Sequence, residues 1–134
     1  MAGNSNTISI IPRAKFNIVD DMQLYLQPDF HAVRLQKMLG TDFGTLTTSI
    51  NFHFNCTFLE YITGKRIRYI RKKIHDGTLS SSEEVMALTG GQKTFPADFA
   101  KVYGKTPEEL FGAYAKLKEI KGLMKTYNYD VTVG

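Results

Sequence analysis

Helix-start and helix-stop signals alternate so closely along this chain that only a set of mostly short helices fits between them. Asp29 can cap a helix over about 30–39 that Gly40 closes, and Asp42 can cap the next over about 43–53. Thr57-Phe58-Leu59-Glu60 is a capping box, in which hydroxyl and carboxylate satisfy the orphan amides of a first turn. It opens a long helix that His75-Asp76-Gly77 stops. Ser80 and Ser81 each have a Glu three residues on (Glu83, Glu84), so a helix begins there and ends near Thr89-Gly90-Gly91. Thr94 can cap a short helix with Pro96 tolerated in its first turn and Gly104 at its end. Thr106-Pro107-Glu108-Glu109 joins a capping box to Pro at the first helical position, launching a helix to about Met124. With the stretch DDMQLYLQ ahead of these, the reading is all-α with about seven helices. Residues 1–19, rich in β-branched side chains and interrupted by Pro12, read as an extended arm or edge strand, and the tail 126–134 has the same character.

Length and composition narrow the class. A chain of 134 residues holds one domain, or two small subdomains sharing a core. A hydrophobic fraction of 43% and a charged fraction of 22% belong to a globular chain, not a disordered one. The net charge of +4 favours an anionic partner. One cysteine, Cys56, excludes an internal disulfide framework and a thiolate metal cluster. No apolar run approaches the ~18 residues of a membrane span, and no signal-peptide core is present. The expectation is a soluble cytoplasmic protein, associated with the nucleoid if its partner is DNA.

Helix, Gly-containing turn, helix occurs twice, on either side of residues 57–76, and this is the helix-turn-helix arrangement whose second helix can enter a major groove. The expected division is an arm at 1–19, a first helix-turn-helix subdomain at 20–56, a linking helix at 57–76, a second subdomain at 77–125 and the tail. Leu35, Leu39 and Gly40, then Leu46 and Ile50, fit a first unit with its buried face. TFLEYITGKRI follows as Phe-x-Glu-Tyr and then Arg-Ile, with Ile70 and Ile74 continuing the stripe. FPADFAKVYGKTPEELF supplies two Phe four apart, then Gly104 and Thr106-Pro107. Over about residues 22–115 this pattern resembles the DNA-binding domain of the AraC/XylS family of bacterial transcription regulators.

The resemblance implies a sequence-specific regulator that binds double-stranded DNA with two recognition helices in successive major grooves. Further partners would be RNA polymerase or a second copy. It implies no cofactor, no metal and no enzyme activity. A separate sensing domain often precedes this one in the family, so a stand-alone regulator and a part of a larger chain are both open. The base-facing positions carry over to Gly44, Thr47, Thr48 and Asn51 in the first unit and to Gln92, Lys93, Thr94 and Ala97 in the second. Asn can bond adenine bidentately and Thr can meet a thymine methyl, but no Arg is present to grip guanine. The phosphate set is Lys65, Arg66, Arg68, Arg71, Lys72, Lys101 and Lys105. Of these, Arg66 fits structural hydrogen bonding and phosphate contact equally well, whereas Lys65, Arg68, Arg71 and Lys72 should point outward. The sequence departs from the family at Gln36 (Ala there), at Asn55 (Gly there) and at Gly90-Gly91 (Gly-Phe there), with a shortened segment before Phe95. These departures motivate the alternative, the same fold with degenerate DNA recognition acting as a protein-interaction or oligomerisation module.

The remaining reactive residues read blandly. His31, His53 and His75 form no pair with metal-ligand spacing. His53 and Cys56 hint at a thiolate–imidazole pair, but a lone Cys at a helix junction is usually just buried.

Overall fold

The computed structural model describes residues 9–126. Among them the helices run α1 Asn17–Asp21, α2 Ala32–Leu39, α3 Phe43–Phe54, α4 Phe58–His75, α5 Ser82–Thr89, α6 Phe95–Tyr103 and α7 Pro107–Thr126. Short 3-10 turns cover Arg13–Phe16 and Leu24–Leu26. The all-α architecture, with a long central helix linking two helical groups, is the one read from the punctuation. The parts of both arms at 1–8 and 127–134 lie outside the described residues.

Most of the caps form as their chemistry dictates. Asp42 Oδ1 accepts from the Thr45 amide at 2.7 Å. In the box opening α4, Glu60 Oε1 accepts from the Thr57 amide at 2.9 Å and Thr57 Oγ1 from the Glu60 amide at 3.1 Å. Thr106 and Glu109 make the same exchange at 2.9 and 3.2 Å. Ser81, not Ser80, is the cap of α5, while Glu84 reaches back to the Ser80 amide at 3.1 Å.

Four expectations are corrected. Asp29 caps nothing: α2 starts at Ala32 with His31 at the cap, because Gln27–Phe30 closes a turn (Phe30 N–H to Gln27 carbonyl, 3.1 Å) that buries Phe30. The DDMQLYLQ helix is broken, since Gln23 adopts a left-handed backbone (φ 49°) between α1 and the 3-10 turn and so drives Leu24 into the core. Thr94 makes no side-chain cap, its backbone being already helical (φ −81°, ψ −10°). The segment expected to stay extended to residue 19 is helical from Arg13, because Phe16 and Val19 fall on one side of those turns and are buried.

Two hydrophobic clusters share α4. The first gathers Phe16, Val19, Leu24, Phe30, Leu35, Leu46 and Ile50 around Tyr61 and Ile62; the second gathers Leu79, Val85, Phe95, Phe99 and Leu110 around Ile67, Ile70 and Ile74. Neither group of about fifty residues buries enough surface to stand easily alone. Three contacts lock them at the junction. Arg66 Nε and Nη2 donate to the Tyr25 and Gln27 carbonyls at 2.7 and 3.0 Å. Gln92 Nε2 donates to Thr63 Oγ1 at 3.5 Å. Gly90 comes so close to the Pro28 carbonyl that a Cβ there would sit 2.9 Å from the oxygen.

Candidate nucleic-acid interface

Both helix pairs begin their turn on a left-handed Gly, but the turn spans residues 40–42 in the first and 90–94 in the second, where Gly91 (φ 74°) is left-handed too. Gly40 (φ 63°) follows α2 and Gly90 (φ 66°) follows α5, both left-handed, a conformation glycine adopts without the Cβ penalty. The next amide then reaches back over the helix end, Thr41 N–H to the Gln36 carbonyl at 2.9 Å and Gly91 N–H to the Met86 carbonyl at 3.0 Å. These bonds satisfy carbonyls at the ends of α2 and α5.

On α3, Leu46, Ser49 and Ile50 are buried, and Gly44, Thr48 and Asn51 are exposed along the opposite side. Thr47 is half-buried and its hydroxyl donates to the Gly44 carbonyl at 3.1 Å, leaving oxygen lone pairs free to accept. The inner side of α3 grips the chain ahead of α1. Ser49 Oγ accepts from the Ile11 amide at 2.8 Å, His53 Nε2 lies 2.6 Å from the Ile11 carbonyl, and Arg13 Nη1 donates to the His53 carbonyl at 3.2 Å. Arg13 also lies 4.8 Å over the Phe54 ring. This clamp was missed in the sequence, where nothing but the order Ile11-Pro12-Arg13 marks it.

At the start of α6, Lys93, Thr94 and Ala97 are exposed, whereas Gln92 is half-buried and donates to Thr94 Oγ1 at 3.1 Å as well as to Thr63. Gln92 therefore ties the turn before α6 to α4, and Lys93 and Ala97 have no such bond and face outward.

The cations separate into two groups. Arg68 and Lys72 are exposed on one side of α4, and Lys101 and Lys105 are exposed at and beyond the end of α6. Lys101 lies 3.9 Å from Asp98, a distance that leaves its ammonium largely solvated. Arg71 is half-buried with its guanidinium 5.4 Å over the Tyr103 ring. Two expected phosphate ligands are corrected. Arg66 is 4% exposed and holds two carbonyls; its burial, which costs the charged form, lowers its pKa from the ordinary value. Lys65 does not point outward: it bonds both oxygens of Asp20 at 2.8 and 2.9 Å and sits 4.8 Å over Tyr61. Those two side chains serve the fold.

Burial, then the Glu60 carboxylate, pushes the Cys56 thiol above its ordinary value, and a ring nitrogen of His53 is held at the Ile11 carbonyl. Among the described residues no group of three or more His, Cys, Asp and Glu is placed to hold a metal ion. Among them, too, no helix is long and apolar enough to cross a membrane. What the arrangement offers is a polar face on α3, Lys93 and Ala97 exposed at the start of α6, and exposed cations on α4 and at the end of α6. Compared with protein-family models, with curated proteins and with solved structures, the chain finds no match.

Proposed function

We propose that this chain binds double-stranded DNA as a transcription regulator, laying α3 and α6 in successive major grooves. The observation that carries the reading is the repetition itself: two helix pairs whose first helix closes on a left-handed Gly, on either side of one 18-residue helix, each with exposed residues at the second helix. The motif likeness to AraC/XylS-type regulators supports it. Phosphate attraction from Arg68, Lys72, Lys101 and Lys105 supplies most of the affinity, with Arg71 at the margin. Base readout is concentrated in α3, where Asn51 reads adenine and Thr47 and Thr48 meet thymine methyls. No catalytic step belongs to this reading.

Fluorescence anisotropy with duplex fragments tests it. With roughly 5 phosphates neutralised, log K falls against log salt with a slope of about −4 to −5. Absence of binding to any duplex at about 50 mM salt overturns it. Asn51→Ala costs about 1–3 kcal/mol at one base position only.

A second reading has its own observation. Phe43 and Phe52, 58% and 69% exposed, flank the polar face of α3, and that face carries no charged side chain. Such a surface suits a protein partner as an interaction module. Loss of duplex binding in a Phe43→Ser, Phe52→Ser variant that melts like the parent would place both rings in the DNA interface and remove the support for this reading.

A further inference from the structure

Two kinds of contact hold α3 on its inward side. Leu46, Ser49, Ile50 and His53 recur there at helical spacing, with Gly44, Thr48 and Asn51 opposite. Leu46 and Ile50 belong to the first hydrophobic cluster. Apolar burial is non-directional, so it presses the helix onto the core more firmly than it fixes the helix's roll. Ser49 is different. It is 0% exposed, and a hydroxyl buried where an apolar side chain would serve needs a partner. That partner is the chain ahead of α1.

Both backbone groups of Ile11 are used. Its amide donates to Ser49 Oγ at 2.8 Å, and its carbonyl lies 2.6 Å from His53 Nε2. A carbonyl only accepts, so Nε2 carries the hydrogen. Arg13 Nη1 then donates to the His53 carbonyl at 3.2 Å. Pro12 stands between them at φ −56° and ψ 138°, a stiff extended link. Downstream the same segment is anchored by buried Phe16, whose ring stands edge-on to those of His53, Phe54 and Tyr61 at 6.1, 5.6 and 6.1 Å. Residues 11–16 thus tie successive turns of α3 to Tyr61 of α4, through bonds that have direction.

We propose that residues 11–13 are a positioning clamp for α3, with Ser49 and His53 as the positioning residues that set its roll and hence where Thr47, Thr48 and Asn51 stand. The effect on base readout rests on the DNA reading; the hold on α3 does not. A roll of about 20° carries a side-chain tip about 2 Å around the axis of a helix. Hydrogen bonds to a base edge close at about 2.7–3.2 Å, so a displacement of that size breaks them. The exposed cations Arg68, Lys72, Lys101 and Lys105 stand on α4 and at the end of α6, away from the clamp. Losing the clamp therefore lowers discrimination between sequences and leaves the salt-dependent part of the affinity in place.

Amide hydrogen exchange of the full chain without DNA tests the hold. Ser49→Ala and His53→Leu should each speed exchange over residues 48–54 at least about tenfold more than over residues 66–70 of α4. His53→Gln should not, although it melts lower, because its side-chain amide can still donate to Ile11 while the ring contacts are lost. Equal acceleration in both helices, following the melting temperature, overturns the proposal, since the clamp then adds only general stability. Duplex binding tests the readout, with the tightest sequence from a randomised pool and its single-base variants, well below every melting temperature. Ser49→Ala and His53→Leu should lose at least about tenfold in discrimination with the salt slope unchanged, and His53→Gln should keep it. Discrimination that survives in Ser49→Ala and His53→Leu, or that falls in step with stability in all three variants, overturns the proposal. A parent chain that binds no duplex contradicts the DNA reading instead, and the exchange result alone then judges the clamp.

Discussion

At the scale of single residues, Arg66 shows how much a charge's role depends on what surrounds it. Its planar fork reaches two carbonyls of one turn, a task the single ammonium of Lys cannot reproduce. Arg66→Ala is expected to destabilise the fold by about 2–4 kcal/mol, with Arg66→Lys recovering less than half, measured by urea denaturation. The folded Arg66 variants should bind duplex with an unchanged salt slope, because a buried guanidinium displaces no counterion. The capping carboxylates make a second residue-level prediction. Hydrogen bonds from the backbone amides of Thr45, Thr57, Ser80 and Thr106 hold Asp42, Glu60, Glu84 and Glu109 below their ordinary pKa values. Their folded values lie under their unfolded ones, so the stability they contribute is complete above about pH 4–4.5 and is lost as pH falls through the folded values. Urea midpoints should therefore drop on acidification below about pH 4.5. The drop should be shallower in a Glu60→Gln, Glu109→Gln variant, which cannot titrate at two of the four caps. An equally steep drop in that variant would assign the acid sensitivity to other groups.

Between elements, Gly40 and Gly90 are alike in backbone and unlike in surroundings. An alanine Cβ at Gly40 meets nothing within 4 Å, so Gly40→Ala carries only the left-handed penalty of about 1–2 kcal/mol. At Gly90 the same Cβ falls 2.9 Å from the Pro28 carbonyl, and backbone has to move. Gly90→Ala should cost about 1–3 kcal/mol more than Gly40→Ala in parallel denaturation curves. Equal losses would show that the two helical groups do not meet at Pro28. The strut between them has a stricter requirement. Ile70 is fully buried, and a carboxylate in its place would lack any partner, so Ile70→Asp should leave the chain without a cooperative thermal transition.

For the whole molecule, the exposed cations and the committed ones should separate in one experiment. Arg68→Ala with Lys72→Ala is expected to weaken binding to all duplex sequences alike and to flatten the salt slope by up to about 2, with little change in melting temperature. Lys65→Ala should do the reverse: a lower melting temperature from the lost Asp20 pair, and an unchanged slope. If Arg68 and Lys72 instead govern stability and leave binding untouched, the phosphate reading of α4 fails.

The sequence by itself determined the all-α class, the long central helix, the Asp42, Thr57 and Thr106 caps and the Gly turns. Each of these signals acts within one helical turn, so a side chain and the amide it satisfies are always close in the chain. The exposure of Gly44, Thr48 and Asn51 was legible for the same reason, because helical spacing puts them opposite Leu46 and Ile50. Only the tertiary structure decided that Arg66 and Lys65 are internal, since their partners lie 39 to 45 residues away at Tyr25, Gln27 and Asp20. It also decided that Phe16 and Val19 belong to the core and that Ile11 is gripped by Ser49 and His53. An isolated β-branched stretch shows no helical preference, and burial against α3 and α4 overrides it. Local propensity amounts to tenths of a kcal/mol per residue, whereas burying one Phe contributes about 1.5–3.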